Sequence, residues 1–208
     1  QITEKNLIAK KAASLVKPHD LIYIDAGTTT ELIIDHLTEK KATYITNGII
    51  HAQKLTDKGF KAFIIGGQLK KSTGAIIGTT SIENLQPYNF TKGFFGTNGI
   101  SLQAGFSTPD SVEACVKKIA LKHCQEAYVL ADSTKFDQIT PITFANLEDA
   151  IIITDILKDK KYLDYRFCCN FCHTRQYDAW YDAGSAVHHW TAQQPRGTAH
   201  SVYLFLAR

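Results

Sequence analysis

The sequence predicts an α/β domain, a mostly parallel sheet flanked by helices. Three features of the chain point there. Short, predominantly apolar runs such as Leu21-Ile-Tyr-Ile24, Lys61-Ala-Phe-Ile-Ile65, Glu126-Ala-Tyr-Val-Leu-Ala131 and Ala150-Ile-Ile-Ile153 lack the alternation of a half-exposed strand. They fit strands covered on both faces. Amphipathic stretches of helical period lie between several of them, giving the βα alternation of a parallel sheet. Each run also ends in glycine or small polar residues, the composition of a turn at a strand's carboxyl end.

In chain order, Thr3 to Val16 reads as a helix with Leu7, Ile8, Ala12, Leu15 and Val16 on one side, stopped by Lys17-Pro-His-Asp20. Strand Leu21 to Ile24 hands over to a second helix through Asp25-Ala-Gly-Thr-Thr-Thr-Glu31, in which Thr28-x-x-Glu31 has capping-box spacing. Thr43-Tyr-Ile-Thr46 is a short strand broken at Asn47-Gly48, and a helix follows from about Ile49 to Thr56. The strand from Lys61 to Ile65 is expected to be buried and ends at Gly66-Gly67. Gln68 to Ile77 reads as a hairpin-like insertion, with a helix from Gly78 through Leu85. Gly93-Phe-Phe-Gly-Thr-Asn-Gly-Ile100 combines a strand with a glycine-rich exit. Thr108 is expected to cap, and Pro109 to open, a helix reaching about His123. After the strand 126–131 and the polar loop Asp132-Ser-Thr-Lys-Phe136, the runs Ile142-Thr-Phe144 and Ala150 to Ile153 complete the sheet.

Composition sets limits on function. A chain of 208 residues can bury one sizeable core. Its net charge of +3 is too mild to indicate nucleic-acid binding by itself. No apolar run approaches the roughly 20 residues of a membrane-spanning helix, and Gln1-Ile-Thr-Glu-Lys does not read as a signal peptide. A cytoplasmic protein with no membrane partner is expected. The chain contains no methionine, so omitted sequence before Gln1 is expected as well.

The composition changes near residue 165. All four arginines and both tryptophans come after Tyr165, where Lys, Glu and Ile no longer occur. Residues 1–165 are therefore read as the domain and 166–208 as an atypical tail, for which a frame change or read-through into foreign sequence competes with a genuine extra subdomain, the first two being favoured. The tail holds Cys168-Cys169-Asn-Phe-Cys172-His173, which contains C-x-x-C-H. Haem attachment lacks an export signal, and zinc lacks a second ligand pair at the usual spacing, so neither metal nor cofactor is expected. Cys115 and Cys124 read as small core residues of a helix, not as a disulfide.

In open α/β sheets ligands bind beyond the carboxyl ends of the strands. The polar residues at those exits are Asp25, Gly27, Thr28 and Thr29; Thr46 and Asn47; Gly66 and Gly67; Gly96, Asn98 and Gly99; and Asp132, Ser133 and Lys135. Early helix N–H groups have no partner within the helix, and the dipole end attracts negative charge. The threonines after Gly27 add hydroxyl donors at the same place. No dinucleotide fingerprint or P-loop is present. Hydroxyls, amides and one ammonium together suit a phosphorylated polyol. Lys135 is a candidate charge for phosphate or a sugar oxygen. Glu113, on the helix after the glycine-rich loop, is a candidate base or hydroxyl acceptor.

These residues in this order resemble the effector-sensing domain of the DeoR family of bacterial sugar-metabolism regulators. The matching pieces are Ile24-Asp-Ala-Gly-Thr-Thr29, Ile45-Thr-Asn47, Ile65-Gly-Gly67, the Gly96 to Gly99 loop followed by Gly105, Glu113-Ala114 with Lys117-Lys118, Asp132-Ser-Thr-Lys-Phe136, and Ile153-Thr-Asp155. Among members, repressors of sugar phosphotransferase operons of the lactose or fructose type look nearest. The resemblance covers about residues 1–165 and implies a fold similar to ribose-5-phosphate isomerase and the CoA transferases. It implies a phosphosugar receptor, a homo-oligomer, and operator DNA bound only through an N-terminal winged helix-turn-helix that this sequence lacks. Carried over, Asp25, Gly27, Thr28 and Thr29 form the sugar-phosphate loop; Asn47, Gly67, Gly96, Asn98, Glu113 and Lys135 supply the other walls.

Two enzymes compete with that reading. A sugar-phosphate isomerase would share the fold and anion loop but needs a positioned base, for which Glu113 is the nominee. An acyl-CoA transferase needs a glutamate nucleophile on a strand-end loop, and no candidate stands out. Fold alone does not decide among them.

Overall fold

The computed structural model describes residues 2–157 and 159–169. In chain order the elements are α1 (Ile2–Ala13), β1 (Leu21–Ile24), α2 (Thr28–His36), β2 (Thr43–Thr46), α3 (Ile49–Asp57), β3 (Lys61–Ile64), β4 (Gln68–Lys70) and β5 (Ala75–Ile77). There follow α4 (Thr79–Leu85), β6 (Phe90–Gly96), β7 (Gly99–Ser101), β8 (Gly105–Thr108), α5 (Ser111–Lys122), β9 (Cys124–Leu130), β10 (Ile142–Ala145), β11 (Ile151–Thr154) and β12 (Phe167–Cys169). Seven strands form one sheet in the order β12-β11-β9-β6-β1-β2-β3, parallel at every pairing. This is the parallel α/β architecture that the apolar runs predict.

Why the central strands read as continuous apolar runs is visible in the packing. Successive side chains of a strand point to opposite faces. Ile22 and Ile24 of β1, Phe94 of β6 and Tyr128 and Leu130 of β9 join Ile8, Ile33 and Ile34 of α1 and α2 in one core. Tyr23, Phe95 and Val129, one residue out of phase, join Leu85, Val116 and Ala120 of α4 and α5 in a second core. Both faces are dry along these central segments, so the positions there are apolar. The Tyr23 ring lies 5.3 Å from Phe90 and 5.5 Å from Phe95, in tilted contacts that suit aromatic quadrupoles.

Several local expectations give way to tertiary context. The strand expected to be buried at 61–65 is instead the sheet's edge, with Phe63 and Ile64 still 49% and 45% exposed. Ile142–Ala145 does not complete the main sheet. It pairs antiparallel with β8 in a separate sheet of order β10-β8-β7. Helix α5 is capped by Asp110, whose carboxylate accepts from the N–H groups of Val112 and Glu113, and not by Thr108, which belongs to β8. The capping box predicted at Thr28 and Glu31 is absent: Gly27 is the N-cap and no side chain caps the helix. Cys115 is exposed on α5, and Cys124 begins β9, where burial pushes its thiol up to about 12.

The compositional break at residue 165 lies just before β12. That strand pairs with β11, and the Phe167 ring stacks on Phe136 at 6.3 Å. Residues 167–169 thus continue the main sheet. Residues 170–208, with Cys172 and His173 of the C-x-x-C-H motif, lie outside the described residues. Among the described residues no group of His, Cys, Asp and Glu side chains is placed to hold a metal, and no helix is long and apolar enough to cross a membrane.

At the amino ends of β1 and β6, Lys92 Nζ donates to Asp20 Oδ2 at 2.8 Å, and both side chains are buried. Burial opposes the charge on Asp20. The hydrogen bonds from Lys92 and from the Lys17 N–H outweigh it and hold the carboxyl below its ordinary range. Asp20→Asn is expected to lower the unfolding free energy at pH 7 by about 3 kcal/mol, because Lys92 is left buried without its counter-charge. A carboxyl held low stabilises the fold above its unfolded pKa, and that stability is lost as pH falls through the folded value. Urea unfolding should therefore show the gap between wild type and variant closing below about pH 4. A gap unchanged at pH 3 would rule out the charge as its cause.

Candidate functional site

The sheet order places β2 on one side of β1 and β6 on the other, so the chain leaves β1 at a reversal of strand order. A crevice opens beyond the carboxyl ends at such a point. Here it is a cavity of about 450 Å³, within the ~300–1,000 Å³ of small-molecule sites. Its floor comes from the exits of β1 (Ala26 to Thr29), β6 (Gly96 to Asn98) and β9 (Leu130 to Asp132). Its walls come from the first turns of α3 and α5, from the β4–β5 hairpin and from Lys5 of α1.

Asp25 holds the floor together. It is 1% exposed, and its Oδ2 is paired with Lys117 of α5 and accepts from the Gly96 N–H at 3.1 Å. Its own N–H donates to the Phe94 carbonyl at 2.9 Å, and its carbonyl accepts from the Thr30 hydroxyl at 2.6 Å. The last bond ties the start of α2 to the end of β1. With the Thr30 side chain turned back in this way, no side chain caps α2, and the helix presents its first turn with Thr28 and Thr29 to the cavity. Lys5 Nζ donates to Thr28 Oγ1 at 3.2 Å on the rim. Lys135, in a 3-10 turn capped by Asp132, also lines the cavity, and no ion pair engages it among the described residues.

Of the ten residues that the family resemblance assigns to the site, Gly27, Thr28, Thr29, Gly96, Asn98, Glu113 and Lys135 line the cavity together. Three do not. Asp25 lies beneath it, committed to Lys117 and Gly96. Asn47 is buried: its Oδ1 accepts from the Ala26 N–H at 2.8 Å and its Nδ2 donates to the Ile76 carbonyl at 3.3 Å. It shapes the loop without facing the space. Gly67 follows the edge strand β3, two strands away from β1. Its φ of 146° and a Cβ position only 2.7 Å from the Ile77 carbonyl oxygen explain the glycine by backbone geometry.

The structure adds residues that the sequence reading passed over. Lys117 was visible only as part of a matching segment; its spacing of four from Glu113 puts both on one face of α5. Lys5 and the hairpin residues Lys70 and Thr73 reach the cavity through tertiary packing that no local pattern announces. His51, in the first turn of α3, is buried, with its Nε2 3.1 Å from the Gly27 carbonyl and 3.3 Å from Thr30 Oγ1. Gly48 makes room for it, since a Cβ there would meet His51 Nδ1 at 2.4 Å.

Residues 1–156 match the family profile of the DeoR C terminal sensor domain. The chain belongs to the DeoR family. It is 44% identical over 164 residues to the uncharacterized HTH-type transcriptional regulator FruR of Bacillus subtilis (strain 168), covering 78% of this chain and 65% of FruR. It is 31% identical to the lactose phosphotransferase system repressor of Staphylococcus aureus (strain NCTC 8325 / PS 47), covering 77% and 65%. The DeoR-family chain thus spans about two thirds of the length of these relatives. Among solved structures, ribose 5-phosphate isomerase from Plasmodium falciparum is similar at a TM-score of 0.49 and 14% identity, over 65% of this chain and 53% of the isomerase.

Burial, the largest influence, holds the His51 imidazole below its ordinary value of 6.5, against the opposing pull of the Asp25 and Glu31 charges. The folded domain therefore favours the neutral ring. Stability from this source is complete above pH 6.5 and declines in acid, where the unfolded chain takes up the proton first. His51→Gln keeps a hydrogen-bonding amide beside Gly27 and is expected to flatten the decline in melting temperature between pH 6.5 and about 5. Equal slopes in the two proteins would assign that decline to another group.

Proposed function

We propose that this domain is the effector receptor of a bacterial transcriptional repressor of sugar metabolism, and that its effector is a phosphorylated sugar. The observation that carries this reading is the uncapped first turn of α2 facing the cavity, with the Lys5 and Lys135 ammonium groups on the same lining. Helix N–H groups and two cations make a seat for a dianionic phosphate. The hydroxyl of Thr28, the amide of Asn98 and the carboxylate of Glu113 line the remaining space with groups suited to a polyol. The lactose phosphotransferase repressor among its relatives supports control of sugar uptake.

In the full-length protein, phosphosugar binding would favour one arrangement of like subunits and so alter operator binding by the N-terminal helix-turn-helix heads. A cytoplasmic setting follows from that role. We infer a receptor, not a catalyst. An isomerase needs a base free to take a proton beside the substrate carbon. Glu113, the carboxylate nominated for that role, is tied through Oε1 to the Lys70 ammonium and the Thr73 hydroxyl, each at 2.9 Å, and a carboxylate so held is better suited to accept a ligand hydrogen bond than to carry a proton away.

A thermal-shift panel of hexose and pentose phosphates should contain at least one compound that raises the melting temperature by linkage. Silence across the panel would sink the receptor reading. Lys135→Ala and Thr28→Ala should each weaken the hit by about tenfold, the scale of one charge-assisted hydrogen bond, while the ligand-free domain melts as before. Unchanged affinity in both would place the phosphate elsewhere. A sensitive isomerase assay with the hit should be blank; turnover abolished by Glu113→Gln would make the protein an enzyme.

A further inference from the structure

The β4–β5 hairpin is attached to the site at two points. On one side the Ile76 N–H donates to the Asn47 carbonyl at 2.6 Å and the Ile49 N–H to the Gly74 carbonyl at 3.1 Å, joining β5 to the exit of β2. On the other side Lys70 Nζ bridges Asp110 Oδ2 at 2.8 Å and Glu113 Oε1 at 2.9 Å, joining β4 to the first turn of α5. Between them Thr73, in the turn, donates its hydroxyl to the same Glu113 Oε1 at 2.9 Å. Gly74, at a φ of 66°, closes that turn with its N–H on the Lys70 carbonyl. Lys70, Thr73, Gly74 and Glu113 all line the cavity.

Two donors thus converge on one oxygen of Glu113. The other, Oε2, accepts no hydrogen bond among the described residues, although Glu113 lines the cavity. A carboxylate fixed through one oxygen offers the second as an oriented acceptor, and a sugar hydroxyl is the matching donor. The adjacent ammonium adds charge assistance and fixes the rotamer, so little ordering remains to be done on binding.

We propose that Lys70 and Thr73 are positioning residues that aim Glu113 at a hydroxyl of the effector, making the hairpin the wall that tells a phosphosugar from a bare phosphate. This rests on the phosphosugar reading above. It adds a division of labour: the α2 end with Lys5 and Lys135 binds the phosphate, and the hairpin with Glu113 selects the polyol. Sites built to hydrogen-bond a hydroxyl discriminate strongly against ligands that lack it.

The test measures two ligands on each protein by thermal shift and calorimetry: inorganic phosphate, and the hexose or pentose phosphate that gives the largest shift with wild type. Lys70→Met and Thr73→Val should each weaken the sugar phosphate by about tenfold, while inorganic phosphate changes by less than about twofold. Lys70→Arg and Thr73→Ser, which retain the donors, should restore sugar affinity. Equal weakening of both ligands would reduce the hairpin to a structural strap and overturn the proposal, as would unchanged sugar affinity. A wild-type protein that answers to no sugar phosphate would fail at the earlier step, before any variant is made, and the proposal would fall with the receptor reading.

Discussion

The Asp25 carboxylate is the point on which the site depends. Through one oxygen it joins Lys117 of α5 to the Gly96 N–H at the end of β6. Through its backbone it joins β6 again and the first turn of α2. The consecutive elements β1 and α2 therefore meet the distant β6 and α5 on one nearly inaccessible residue. A buried ion pair of this kind is a weak source of net stability, because desolvation consumes much of the Coulomb attraction. Removing one partner is costly, however, so the arrangement is specific even where it is not strongly stabilising. The cavity exists because β1 and β6 end side by side, and Asp25 spans the gap between their ends.

That geometry explains why the fold was legible in the sequence while parts of the site were not. Strand segments dry on both faces are predominantly apolar, and runs such as Leu21–Ile24 and the isoleucines that open β11 carry that requirement openly. The edge position of β3 was hidden, because Lys61-Ala-Phe-Ile has the composition of a central strand and only its neighbours decide otherwise. The cap of α5 was misplaced by two residues for a similar reason. Thr108 and Asp110 both suit the role, and the pairing of Thr108 into β8 removes it.

Within the site, the strand exits could be read because a parallel sheet collects them at one edge. Being at that edge is not the same as facing the cavity, and sheet order separates the two. Gly96 and Lys135 follow strands near the reversal point, whereas Gly67 follows the outermost strand. Asn47 is polar because loop backbone needs partners, a demand indistinguishable in sequence from ligand binding. Lys5, Lys70 and Thr73 come from elements that precede or interrupt the βα pattern, so periodicity says nothing of where they arrive.

The close fit of His51 over Gly48 constrains how this domain can diverge. A side chain at residue 48 would occupy the space of the imidazole, and a smaller residue at 51 would leave the Gly27 carbonyl without its ring partner. Neither position can drift alone without disturbing the loop after β1 that both support. Across relatives the two are expected to change together, with a larger residue at 48 accompanied by the loss of histidine at 51. Such paired exchange would mark lineages in which the loop after β1 has been rebuilt.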